Sequence, residues 1–490
     1  MSKSLGSKMV TATKWSAITE IAAKLVTPIT SMVLARLITP EAYGIVATLN
    51  MVIVFAEIFT DAGFQKYIIQ HEFEDDQDRD ESTNVAFWSN LVLSFLLWGL
   101  IAIFANPIMK LVGNPGYGNV LIIACVSIPV AAFSSIQMAN YKRDLDFKTL
   151  FKIRMIGIVV PLVVTIPAAI YFRNFWALVI GNIATHTINA IFLTWFSSWK
   201  PRFFYSFKKF KEMFSFTFWS MLESLSGWLV NYFDVFIIGS MLSQYYLGLY
   251  KTSSSLVTQF MSLITATTSS VLFSSLSRLQ NDRKEFDRIF LKFQKLVGVL
   301  VVPLGVGMFC YSDLLTSIML GDKWAEASNV VGLWGLVSGL MIVMNHYCGH
   351  LYRALGKPKL STLSEWLHIA FLWPIVIIAA KHGFEALYIT RTLGRLQHVI
   401  VDMCLMSFVI HFSVKKIFAN IAPSVVASVL MAGVAFLLKT VSASVIWQLA
   451  SILICIIAYC AFLLIFPEER AILLNTWNKF LNRISLIRRS

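Results

Sequence analysis

The chain is short of charge and shorter still of acid. Only 14% of its 490 residues are Asp, Glu, Lys or Arg, and 27 acidic side chains face 41 basic ones. A water-soluble domain carries about 25% charged residues, so an ordinary soluble enzyme or binding module is excluded. Cysteine is scarce as well. Cys125, Cys310, Cys348, Cys404, Cys455 and Cys460 are scattered through apolar runs, which gives neither a disulfide framework nor a zinc spacing. The nearest approach to a metal cluster is His346-Tyr347-Cys348-Gly349-His350. Its two histidines share a helical face while Cys348 points away, so the stretch reads as polar helix and no metal is expected. No nucleotide-phosphate motif occurs in the hydrophilic loops, and no cofactor is expected. Residues 1–14 lack the apolar core of a secretory signal, so the first span is expected to remain in the mature chain.

In excess are apolar residues: the chain is 57% hydrophobic, with 38 Phe and 14 Trp, and its mean hydropathy is +0.69. Runs long enough to cross a bilayer recur at 15–37, 43–70, 85–108, 119–141, 150–172 and 175–199, then at 214–241, 245–276, 289–311, 329–351, 360–380 and 384–411, and finally at 421–438 and 445–466. The expected fold is an all-α polytopic membrane protein of about 14 transmembrane helices. Its expected parts are a six-helix bundle (1–199), a basic linker (200–213), a second six-helix bundle (214–411), two further helices (412–466) and a basic amphipathic tail lying on the inner leaflet (467–490).

Loop charge orients this arrangement. With the N-terminus inside, the outside loops hold just Lys110, Arg173, Lys323, Lys381 and Lys439, and the inside loops are crowded with Lys and Arg. That is the positive-inside pattern, which accounts for the net charge of +14 without a nucleic-acid partner. Both termini are then cytoplasmic. The acidic connector 71–81 stays inside because Lys and Arg, not Asp and Glu, set orientation.

The chain also resembles itself. A shift of 204 residues lays Thr13-Lys14-Trp15-Ser16 on Thr217-Phe218-Trp219-Ser220, and Leu37 to Ile45 on Met241 to Leu249. Gly113 pairs with Gly321, and Tyr141-Lys142 with Tyr352-Arg353, at slightly larger offsets. Six spans separate the copies, so they share orientation and the repeat axis runs along the membrane normal.

Ionisable residues inside spans are costly and normally face a bundle interior. Here the third, fourth and last two spans carry almost none and are expected at the lipid-facing periphery. Stripes at helical spacing mark the others: Glu20, Lys24, Thr27 and Ser31; Asn50, Glu57 and Asp61; Glu223, Gly227, Asn231 and Asp234; Lys251, Ser255, Thr258 and Ser262; Arg391, Arg395, His398 and Asp402. Internal pairing explains any one of these residues as well as transport does. Their confinement to repeat-related spans favours a polar cavity between the two halves.

At Leu34-Ala35-Arg36-Leu37-Ile38-Thr39-Pro40-Glu41-Ala42-Tyr43-Gly44 the sequence resembles the Wzx-type polysaccharide flippases, in the colanic-acid-exporter-like branch of the multidrug/oligosaccharidyl-lipid/polysaccharide exporter superfamily. Asp61-Ala62-Gly63-Phe64, Leu276-Ser277-Arg278-Leu279-Gln280 and Gly321-Asp322-Lys323-Trp324 extend the match over roughly residues 10–410. The resemblance implies a non-enzymatic flippase of a bacterial inner membrane, carrying an undecaprenyl-diphosphate-linked oligosaccharide outward by alternating access for surface polysaccharide biosynthesis. It further implies membrane lipids and polysaccharide polymerase machinery as partners, and H+ or Na+ as coupling ion. Lys24, Arg36, Lys251, Arg391 and Arg395 are the cations suited by position to the diphosphate, with Arg36 equally readable as an interfacial anchor. Glu57, Asp61, Glu223 and Asp234 are the carboxylates suited to ion coupling. Relatives often carry Phe-Pro-Ala where this chain has Phe273-Ser274-Ser275, which puts a helix break there in doubt. The alternatives are a multidrug exporter of the same superfamily and, less well supported, a membrane-bound polymerase or glycosyltransferase.

Overall fold

The computed structural model describes residues 5–471, apart from positions 62, 280, 281 and 358. The amphipathic tail expected at 467–490 lies almost wholly outside the described residues.

Helix follows helix. We number the long ones α1 (Leu5–Leu37), α2 (Pro40–Asp61), α3 (Asp76–Ile103), α4 (Gly118–Arg143), α5 (Phe147–Phe172), α6 (Phe175–Phe196), α7 (Phe207–Met241), α8 (Gln244–Ser277), α9 (Arg283–Cys310), α10 (Ala327–Ala354), α11 (Lys359–Ala380), α12 (Phe384–Phe408), α13 (Val414–Lys439) and α14 (Val445–Leu463). Among the described residues, ten of these are long and apolar enough to cross a membrane. The remaining four, α1, α7, α8 and α12, fall short of that apolarity because they carry polar stripes. Local chemistry sets several starts. Asp75 accepts from the Asp78 N–H at 2.6 Å, Asp146 from Thr149 at 3.1 Å and Asp282 from Glu285 at 3.1 Å, each capping orphan donors of a first turn. Without proline at 273–275, α8 runs unbroken to Ser277.

The helices form two compact units. The first comprises Met1–Thr252 with Met319–Lys323 and Ala380–Phe384; the second is Ser253–Ile318, Trp324–Ala379 and Glu385–Ser490. In the first, α1 packs on α5, α4 on α3 and α6, and α7 on α2. The starts of α2 and α8, which the 204-residue shift equates, meet within this unit, Gly44 against Gln244 and Gly248 against Pro40. Gln244 Nε2 donates to the Gly113 carbonyl at 3.2 Å, and Gly113 adopts φ +79°, open to glycine but strained for other residues. The expectation that α4 faces lipid fails: 56% of its most apolar stretch is buried, with Leu121, Ile128, Ile136 and Ala139 fully enclosed. Small and apolar residues let it pack between neighbours, so lack of charge does not place a helix at the rim.

In the second unit, α13 covers α9 and α14 covers α13. Val299, Val306, Ala427, Met431 and Cys455 share one core there. The hydroxyl of Tyr459 donates to the Val299 carbonyl at 2.9 Å, and that of Tyr311 bonds Ser451 at 2.8 Å. Buried tyrosines thus satisfy their polar ends inside an apolar seam. Two helical stretches widen to π-turns, Pro161–Thr165 in α5 and Ile342–His346 in α10. Such turns rotate side chains out of the regular helical register and often occur at functional sites.

Candidate functional site

In the first unit, one nominated residue sits over Tyr232 on α7. Lys251 places its ammonium 5.1 Å from the Tyr232 ring centroid, a cation–π distance. Glu57 on α2 and Asp234 on α7 both bear electrostatically on the same tyrosine. Asp234 is 6% exposed, accepts from the Tyr250 hydroxyl at 2.6 Å and takes the Val235 N–H at 2.8 Å. Trp228, one turn before Tyr232, donates its indole N–H to the Met51 carbonyl at 3.0 Å and so ties α7 to α2. Asp61 ends α2 with Oδ1 buried and without a hydrogen-bond partner among the described residues. Lys24 is half-buried on α1, whereas Arg36 is exposed in the last turn of that helix. The side chains of Glu20 and Glu223 lie outside the described residues.

At the polar ends of α3 and α7 a separate set of charges fastens the linker. Lys209 meets Asp78 at 2.5 Å and Glu81 at 3.2 Å. Its hydrogen bond holds the Asp78 carboxyl below the usual carboxylate range. Burial alone would lower Lys209, but its hydrogen bonds to Asp78 and Glu81 outweigh this and raise it. Nearby, a polar cavity of about 350 Å³ is lined by Asp76, Arg79, Asp80, Asn140, Asp144 and Arg202. The Arg79–Asp144 pair at 2.8 Å spans part of that lining.

The second unit holds the denser polar cluster. Arg391, 9% exposed, and Arg395 set their guanidinium carbons 5.7 and 4.4 Å from the centroid of one ring, Trp334 on α10. Arg395 also donates to Ser338 Oγ at 2.9 Å. Two turns further along α12, Asp402 is 3% exposed. It accepts from Ser364 at 2.7 Å, from the Tyr352 hydroxyl at 3.1 Å and from Asn345. The Ile342–His346 π-turn carries Asn345, and α11 supplies Ser364. His398 Nε2 lies 3.0 Å from Ser364 Oγ, and its ring stacks on His368 with centroids 4.4 Å apart and planes 8° from parallel. His368 Nδ1 meets Gln397 Oε1 at 2.9 Å.

The α12 stripe was legible in sequence as one polar face. Its partners Trp334, Ser338, Asn345, Ser364 and His368 carry no mark in the sequence reading, where Tyr352 enters only through the repeat. The available signal was polar spacing inside apolar spans: Ser338 and Asn345 are seven apart on α10, Ser364 and His368 four apart on α11. The His346–His350 stretch has protein partners, with His346 bonded to Ser269 at 3.1 Å and the Cys348 thiol to the Met344 carbonyl at 3.2 Å.

Known proteins are similar to this chain in architecture and in sequence. A solved lipid II flippase, MurJ in its inward closed conformation, superposes with TM-score 0.75 over 93% of this chain and 99% of its own at 16% identity. An inward-facing multidrug resistance MATE transporter does so with TM-score 0.60 over 81% and 95% at 12% identity. Among sequence relatives, the succinoglycan biosynthesis transport protein ExoT of Rhizobium meliloti (strain 1021) is 21% identical, covering 73% of this chain and 70% of its own length. The lipopolysaccharide biosynthesis protein WzxC of Escherichia coli (strain K12) is 21% identical over 83% of this chain and 81% of its own. Residues 33–329 match the model of one family throughout. The chain belongs to the polysaccharide biosynthesis protein family.

Proposed function

We propose that this membrane protein is a flippase that carries an undecaprenyl-diphosphate-linked oligosaccharide from the cytoplasmic to the periplasmic leaflet for surface polysaccharide biosynthesis. It works by alternating access and couples the movement to H+ or Na+. The observation that carries this assignment is the pair of guanidinium groups on Trp334. A guanidinium presents a planar fork of donors that matches phosphate oxygens, and stacking on an indole holds that fork in place. Two such forks inside an apolar unit suit a diphosphate, while a long isoprenyl tail stays in lipid. Lys24, Lys251 and Arg36 are assigned to the same anionic cargo along its route, and Glu57, Asp61, Glu223 and Asp234 to the coupling ion. Both termini are placed in the cytoplasm by loop charge.

The names of the relatives favour this cargo: the Escherichia coli and Rhizobium meliloti proteins are named for lipopolysaccharide and succinoglycan, and a Bacillus subtilis (strain 168) relative for teichuronic acid. A multidrug exporter is the second reading, favoured by the likeness to MATE transporters but with the lower TM-score of 0.60. Reconstitution separates the two. Vesicles holding the purified protein and a labelled undecaprenyl-diphosphate oligosaccharide should expose the glycan to an impermeant glycosidase on the trans side. Unchanged protection, with export of a cationic dye, would overturn the flippase assignment in favour of the exporter.

A further inference from the structure

We propose that Asp402, Ser364 and His398 form a proton-binding relay in the second unit, with Asp402 as the seat of the proton. This rests on the flippase assignment only where it reaches the cargo. Ser364 has one hydroxyl hydrogen. With Asp402 ionised, that hydrogen goes to Oδ1 at 2.7 Å, so the serine oxygen must accept from His398 at 3.0 Å, and Nε2 carries the N–H. A proton arriving at Nδ1 of His398 lets Nε2–H pass to the serine oxygen while the serine hydrogen passes to Asp402. The products are a neutral carboxylic acid, an intact hydroxyl and the other neutral tautomer of His398. One proton enters, two shift, and no charge is left on the imidazole.

The surroundings decide where the proton rests. His368 lies flat against His398, and because Gln397 Oε1 can only accept, His368 is the N–H donor through Nδ1 at 2.9 Å. Arg391 and Arg395 on α12 bear on His398 from its own helix, and His368 bears on it from α11. An imidazolium there would stand beside two fixed cations, so the ring conducts the proton rather than keeping it. Glu365 on α11 and Cys348 on α10 also face Asp402, beside the donors Tyr352, Asn345 and Ser364. Intramembrane Asp and His linked by hydrogen bonds are the usual elements of proton paths.

Protonation also changes what the arginines can hold. Protonating Asp402 removes one negative charge beside the two guanidiniums, so the cluster becomes one unit more positive. An anionic diphosphate therefore binds the protonated cluster more tightly, and by linkage its binding draws a proton in.

The direct test is an infrared pH-difference spectrum of the full chain in nanodiscs, which needs no cargo. Acidification should produce a protonated-carboxyl band that is absent from the isosteric Asp402→Asn variant. Ser364→Ala keeps Asp402 but removes the relay hydroxyl, so after a pH jump the same band should appear at least about tenfold more slowly. Survival of the band in Asp402→Asn, or an unchanged rate in Ser364→Ala, overturns the relay. If Asp402→Asn does not fold, the Ser364→Ala rate decides alone. A second measurement follows undecaprenyl diphosphate binding between about pH 5.5 and 8.5. Wild-type affinity should rise relative to that of Asp402→Asn as pH falls, by up to about tenfold per unit, the titration of the diphosphate itself being common to both. A band and slope in a protein that flips nothing would sink the flippase assignment and leave the relay standing. Flipping without the band would do the reverse.

Discussion

Gly248 rests on the main chain of Pro40: a methyl group on its Cα would stand 1.8 Å from the Pro40 carbonyl oxygen. The converse contact exists as well, since a methyl on Gly44 would stand 1.9 Å from the Gln244 carbonyl oxygen. Pro40 and Gln244 are 204 positions apart, and so are Gly44 and Gly248. Residues matched by the repeat therefore meet reciprocally, i on j and j on i, as a two-fold axis between copies requires. The helix starts of α2 and α8 approach as closely as backbone allows, and only glycine permits it.

Alanine at either glycine must push these helix starts apart. Forcing a methyl into such a contact costs about 1–3 kcal/mol. Gly44→Ala and Gly248→Ala should each lower the Tm of the detergent-purified protein by several degrees, and by similar amounts. Gly227→Ala, where a Cβ meets no neighbouring atom within 4 Å, should keep or raise the Tm, since alanine is the better helix former. A Gly248→Ala variant as stable as wild type would show that the close approach is dispensable.

The arginine pair on Trp334 makes a prediction about shape rather than charge. Lysine keeps the positive charge of Arg395 but loses the fork and the stacking. Arg395→Lys should therefore depress flipping nearly as far as Arg395→Ala, at least about tenfold, while Trp334→Leu should weaken binding with both arginines present. Full activity in Arg395→Lys would reduce the pair to a simple positive field.

Much of this arrangement could be read from the residues in order. Apolar runs located the helices, and the stripe Arg391–Arg395–His398–Asp402 announced a polar face on α12. What stayed hidden depends on the third dimension. Nothing local ties Ser364 to Asp402, 38 positions away, or sets Trp334 under two arginines of another helix. Asn345 reaches Asp402 from a π-turn, which a 3.6-residue period does not anticipate. The burial of α4 was hidden for a different reason. Leu121, Ile128 and Ile136 look alike to a hydropathy scale whether they face lipid or protein, because both are apolar.

The linker knot predicts a pH window for stability. The folded pKa of Asp78 is depressed, so its stabilisation is present above the unfolded value near 4 and is lost as pH falls through the folded value. Lys209 is raised, so its share is complete below the unfolded lysine value near 10.5 and fades as pH rises through the folded one. Between these limits both contribute. The pair is partly exposed, so its worth is under about 1 kcal/mol. Lys209→Ala should lower the Tm slightly but measurably at neutral pH and by less near pH 3. An equal loss at both pH values would mean that the lysine acts through packing of its stem instead.

Carboxylates in both units are proposed for ion movement, and substitutions can separate them. Asp234 accepts from the Tyr250 hydroxyl at 2.6 Å and from the Val235 N–H. Tyr250→Phe deletes the first bond and keeps the ring, which leaves a buried carboxylate short of a donor. If Asp234 binds the coupling ion, Tyr250→Phe and Asp234→Asn should both alter the pH or sodium dependence of flipping. Joint neutralisation of Glu57, Asp61, Glu223 and Asp234 should abolish that dependence. Diphosphate binding governed by Asp402 should keep its pH slope in the same fourfold variant, because that slope is set by Asp402 and its partners Ser364 and His398. A fourfold variant whose flipping still follows pH or sodium as wild type does would clear these carboxylates of coupling and leave Asp402 as the residue to pursue.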